Sequence, residues 1–136
     1  MNEITIRFAS KAHRDFFMEM REKTRYDDSC RRAFFYVMGL TEETRANIHR
    51  MYDFELEQIR PEGMRGGWQT SGSVRVCRMA FNLFNGYVEK KNCQAYTPED
   101  LFCCEFSACF MEGIKLRYPD YYRELAPAKK APDRAR

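Results

Sequence analysis

One stretch constrains this chain more than any other. VRVCRMAFNLFN, residues 74–85, places Val74, Val76, Cys77, Met79, Ala80, Phe81, Leu83 and Phe84 on nearly every side of a helix. A helix that is apolar almost all round is buried by its neighbours rather than laid on a surface. Other helices must therefore surround it, and the chain reads as all-α, with about five helices and one short N-terminal β-strand. Within the same stretch Arg75, Arg78, Asn82 and Asn85 recur at spacings of three, four and three, forming one polar stripe. Buried charge is costly unless it is paired, so this stripe has to meet a partner or a pocket. The last predicted helix offers Glu105 and Glu112 two turns apart among Leu101, Phe102, Phe106, Phe110, Ile114 and Leu116. Two readings stand: the glutamates pair with Arg75 and Arg78 inside the domain, or the stripe lines a pocket or a protein interface.

The strand signal is the alternation of Ile4, Ile6 and Phe8 with Thr5 and Arg7. Ser10 is a good N-cap for a helix over 11–23, with Phe16, Phe17 and Met20 on its apolar face. A second helix spans about 29–40, with Cys30, Phe34, Val37 and Met38 as its buried stripe. Thr41 caps a third, with Glu42 and Glu43 in its first turn, that ends near Tyr52. Residues 53–70 are irregular, broken by Pro61, Gly63, Gly66 and Gly67. Ser71 or Ser73 is expected to cap the next helix, and Gly86 to stop it. Thr97, Pro98 and Asp100 mark a final helix start, and Pro119 an end after Tyr118. Residues 1–125 form a single helical domain and 126–136 a basic, disordered tail on this reading.

That tail carries Lys129, Lys130, Arg134 and Arg136 against Asp133 and so accounts for the whole net charge of +3. The body is neutral, unlike the net basic body usual for nucleic-acid-binding domains. No apolar signal-peptide core and no membrane span is seen, so a cytoplasmic setting with six reduced cysteines is expected. The cysteines lack zinc spacing: no C-x-x-C pair occurs, and adjacent Cys103 and Cys104 point about 100° apart on a helix. His13 and His49 lie on predicted helices with no cysteine or serine placed beside them by sequence, so no nucleophile pair is assigned. The glycine loop GMRGGWQTSGS, residues 63–73, precedes a helix start where amides bind anions, but it matches no dinucleotide or P-loop pattern.

FFYVMGL (34–40), IRPEGMRGGWQTSGSVRVCRMAFNLFNGY (59–87), YTPEDLF (96–102) and IKLRYPDYY (114–122) together resemble a family of small uncharacterised proteins encoded in Firmicutes mobile elements and prophages. The resemblance covers about residues 4–122. It implies a context and no residue roles: small helical proteins of this kind act as accessory factors that bind host or defence proteins. The function expected is therefore a non-enzymatic protein-binding factor of a mobile element, with inhibition of a host defence system such as CRISPR as its sharpest form. Nucleic-acid binding through Arg75, Arg78 and the tail is the alternative, and a small-anion or nucleotide site is the third. Binding candidates are Trp68, Gln69, Arg75, Arg78, Asn82 and Asn85, with Lys129 and Lys130 as tail contacts. No catalytic residue, metal ligand, cofactor or membrane contact is expected, and a homodimer is open.

Overall fold

A computed structural model of the chain describes residues 5–128. Its helices are α1 (Lys11–Lys23), α2 (Ser29–Met38), α3 (Glu42–Ala46), α4 (Ile48–Met51), α5 (Ser71–Asn85), α6 (Pro98–Phe102) and α7 (Ser107–Arg117). Two 3-10 segments, Pro61–Arg65 and Lys90–Tyr96, flank α5. The chain is mostly helical, as its periodicity implies.

α2 is the hub, packed by α1, α5 and α7. Ala33 through Met38 are all fully buried, so this helix is enclosed on every side. That differs from the single stripe expected, since Phe35 and Tyr36 are buried while Cys30 is only half-buried. Phe34 stacks parallel to Phe81 of α5 at 5.9 Å, and Phe35 meets Tyr52 edge-on at 4.9 Å. Each such aromatic contributes roughly 1.5–3 kcal/mol through burial, and the interlocked rings fix how α2 and α5 sit. α7 presents Phe110, Gly113 and Leu116 inward. A Cβ on Gly113 would lie 2.9 Å from Val37 Cγ2 and 3.2 Å from Leu83 Cδ1, so α7 crosses the seam between α2 and α5 at its one side-chain-free position.

The strand expectation needs correction. Residues 5–8 form no strand among the described residues, and Ile4 lies outside them. Burial does alternate from Thr5 to Phe8, because Phe8 drops between Phe17 and Tyr36 and the Tyr36 hydroxyl donates to the Arg7 carbonyl. The period of two is that of an extended strap pinned by side chains, with no ladder. The sheet is instead a two-stranded antiparallel pair, β1 (Tyr52–Asp53) with β2 (Gln58–Ile59), registered Tyr52 to Ile59.

Helix count differs for two local reasons. The helix expected from 42 to 52 breaks at Asn47, whose side-chain amide donates to the Glu43 carbonyl at 2.8 Å and competes with the backbone ladder. The last long helix breaks at Cys103 and restarts after Phe106, because α6 packs on the Lys90–Tyr96 segment and α5 while α7 packs on α2. One straight rod serves only one of those directions. α5 is capped by Thr70, one residue before the serines expected: Thr70 accepts from the Ser73 amide, and Ser73 accepts from the Thr70 amide. Gly86 then ends α5 in the left-handed region at φ 79°.

Candidate functional site

The polar stripe of α5 faces the connection that follows it. Arg78 Nε donates to Glu89 Oε2 at 2.7 Å, and Tyr96 donates to the same oxygen at 3.0 Å. Burial raises the Glu89 carboxyl, but the bonds from Arg78 and Tyr96 and the charges of Arg78 and Arg65 more than offset it, holding it below its ordinary value. Asn82 donates to the Tyr87 carbonyl, and Asn85 accepts from the Tyr87 amide, both at 3.1 Å. Three of the four stripe residues thus bind the chain leaving α5 back onto it. The pairing expected with the final helix does not form: Glu112 pairs with Lys115 at 2.7 Å, and Glu105 is exposed where the helix breaks. Arg75 is half-buried and forms no ion pair among the described residues.

Gln69 is committed inward. Its oxygen accepts from Ser73 and its amide donates to the Met64 carbonyl at 3.1 Å. Trp68 is half-buried and closely overlies Gly66, where a Cβ would meet the indole at 2.2 Å. Its indole N–H is buried with no acceptor among the described residues. The Thr70 and Ser73 cap takes up amides of the α5 start. Lys129 and Lys130 lie outside the described residues.

A charged network that the sequence did not reveal centres on Glu57. Its side chain is 2% exposed and that of Arg31 14%. Arg31 Nε approaches Glu57 Oε1 at 3.2 Å, its Nη2 donates to the Glu57 carbonyl at 2.7 Å, and its Nη1 reaches Asp28. Thr24 and Tyr52 both donate hydroxyl hydrogens to Glu57 Oε1. Burial raises the Glu57 carboxyl, and these donors with Arg31 pull it net below its ordinary value. It is an ionised carboxylate. The Tyr52 hydroxyl is pushed up to about 12, chiefly by burial. Glu57 sits at φ 55°, a left-handed conformation that costs a side-chain-bearing residue roughly 1–2 kcal/mol. It closes the turn between β1 and β2, where short hairpin loops commonly place a left-handed residue. Arg31 and Glu57 are distant in sequence and share no periodicity, so no pattern pointed to them.

His13 and Cys77 are core groups. Ala9 N–H donates to His13 Nδ1 at 3.0 Å, so Nε2 carries the proton and donates to the Tyr36 carbonyl at 2.7 Å. Burial pushes the imidazole below its ordinary value. Burial pushes the Cys77 thiol up to about 12, far from a reactive thiolate. Among the described residues no group of three or more His, Cys, Asp or Glu side chains is placed to hold a metal ion, and no helix is long and apolar enough to cross a membrane.

The largest exposed aromatic feature lies at the end of α7. Tyr118, Tyr121 and Tyr122 are 42%, 88% and 37% exposed, and Leu125 is 80% exposed. The three tyrosines and Ile114 enclose a groove of about 470 Å³. Ile114 and Tyr118 also line a second hollow with Leu83, Leu101 and Phe102. Lys115 lies 4.8 Å over the Tyr122 ring and Arg117 4.9 Å from that of Tyr118, which holds two of the rings in place.

Fold and surface define a small, mostly helical protein with an aromatic face. The chain belongs to a family of unknown function, DUF6075, which matches residues 3–130 and so reaches past the 4–122 of the sequence resemblance. No curated protein and no solved structure matches it.

Proposed function

We propose that this chain is a non-enzymatic protein-binding factor that meets its partner with the tyrosine face at the end of α7. The exposed run of Tyr118, Tyr121, Tyr122 and Leu125 carries this reading. Tyrosine supplies large, rigid contact area and is enriched among interface residues that dominate affinity. The grooves beneath it offer seats for apolar side chains of a partner. The partner in this reading is a host or defence protein, and the factor an accessory of a mobile element that acts in the cytoplasm. Its resemblance to mobile-element proteins supports that context, and its six cysteines, all free, suit a reducing compartment.

The test is capture of a partner from a host lysate by the tagged protein, compared with a Tyr118→Ala, Tyr121→Ala variant. The variant is expected to melt at an unchanged temperature and to bind at least about tenfold more weakly. Equal capture by the variant removes the tyrosine face from the reading. A wild-type protein that recovers only another copy of itself makes the face a homodimer surface instead.

A further inference from the structure

Two grooves meet beneath the Pro61–Arg65 turn, on surface distinct from the tyrosine face. One, of about 700 Å³, lies along β2 and is lined by Tyr26, Leu56, Ile59 and Phe84 together with Arg31. The other, of about 440 Å³, runs from the turn to the chain after α5, with Met64, Val74 and Val88 beside Arg65, Lys90 and Lys91. Pro61 and Tyr87 line both, so the two adjoin there as one trough, with apolar and basic side chains mixed along its whole length. Volumes of this size are usual for bound segments or ligands.

Charge is unbalanced along it. Arg25, Arg31, Arg65, Lys90 and Lys91 face two carboxylates, Glu57 and Glu89. Glu57 is paired with Arg31, and Glu89 with Arg78. Arg25, Arg65, Lys90 and Lys91 form no ion pair among the described residues, although the described body around them is rich in such pairs. The trough also contains Gln58 and Ile59, the two residues of β2, which pairs with β1 and with no other strand among the described residues. An unpaired strand edge is a template for an extended chain.

We propose that this trough binds an extended acidic segment of a partner protein. Apolar side chains of that segment enter between Tyr26 and Leu56, which are 53% and 69% exposed, and its carboxylates meet Arg65, Lys90 and Lys91. A nucleic acid would use the same cations. The aliphatic lining of Leu56, Ile59, Met64, Val74 and Val88 favours a polypeptide. The inference stands independently of the tyrosine face.

The experiment is fluorescence anisotropy of a short labelled peptide alternating glutamate with phenylalanine, titrated with the full chain. Saturable binding that weakens as salt rises is expected. Arg65→Glu, Lys90→Glu and Lys91→Glu together are expected to weaken it at least about tenfold, and Leu56→Asp to weaken it as well. All four positions are exposed, and unchanged melting confirms that these variants fold. The Tyr118→Ala, Tyr121→Ala variant is expected to bind the peptide as well as wild type, so failure of one surface does not imply failure of the other. No binding, or binding indifferent to the three charge reversals, overturns the proposal. Tighter binding of a single-stranded oligonucleotide than of the peptide overturns the choice of occupant.

Discussion

Glu57 combines two features that ordinarily oppose stability, a buried charge and a left-handed backbone. Arg31, Tyr52 and Thr24 compensate for the first, and the second falls at the end of the turn that joins β1 to β2. The two effects separate by substitution. Glu57→Ala removes the carboxylate while keeping a Cβ at φ 55°, and leaves Arg31 paired with Asp28 alone. A loss of about 3 kcal/mol is expected, as for breaking a buried pair. Glu57→Gly loses the same carboxylate but adopts that φ freely, so it is expected to be about 1 kcal/mol more stable than the alanine variant. Urea denaturation measures both. Equal stabilities would show that the backbone carries no strain, and alanine at wild-type stability would show that the network contributes nothing. Neither Arg31 nor Glu57 was legible as a pair, because 26 residues separate them and only the turn between β1 and β2 brings them together.

At the scale of elements, local chemistry placed most boundaries. Ser10 caps α1 through the His13 amide, Thr97 caps α6 through that of Asp100, and Gly86 stops α5. Each depends on residues within a turn of one another, which is why each was readable. The helix breaks were not. Where one helix must cross another, spacing alone gives no warning, and Gly113 illustrates the point. Alanine there gains about 1 kcal/mol of helix propensity. Its methyl group, however, enters the 2.9 Å approach to Val37, a buried β-branched residue with little freedom to move. Overpacking costs about 1–3 kcal/mol, so Gly113→Ala is expected to destabilise the protein by about 1 kcal/mol net, read as a lower melting temperature. A variant more stable than wild type would mean that α7 shifts off the seam at no cost.

For the whole molecule, stability is expected to fall in two stages as the solution is acidified. His13 is neutral in the core, and burial holds its pKa below the ordinary 6.5. The unfolded chain gains a proton at this residue below that pH while the folded chain does not, so stability falls as pH drops from 6.5. Arg45, whose charge also lowers the His13 value, adds to the cost of protonation. Glu57 and Glu89, with ordinary values of 4.5, and Asp27 and Asp28, with 3.8, are all held lower in the folded state. Their stabilisation is present above those values and is lost as pH falls through the lower, folded ones, which forms the second stage. His13→Gln retains a donor for the Tyr36 carbonyl and does not titrate. Its stability, measured by denaturant titration at several pH values, is expected to be flat from 6.5 down to about 5.5, where the carboxylates begin to titrate in the unfolded chain, while wild type declines over that range. A wild-type slope that survives the substitution would place the titrating group elsewhere.

The sequence by itself determined that the chain is helical, that the stretch around residues 74–85 is buried, and where several helices begin and end. These depend on period, on caps and on turn residues, all of which act within a few positions of the chain. Only the tertiary structure decided what the polar groups do. It gave Arg78 to Glu89 rather than to the final helix, turned an alternating N-terminal segment into an unpaired strap, and drew Arg31 and Glu57 into one network. The partner of a charge is set by which helices cross and at what point. That crossing rests on rings and small residues such as Phe34, Phe81 and Gly113, whose contacts are formed only when the whole core packs.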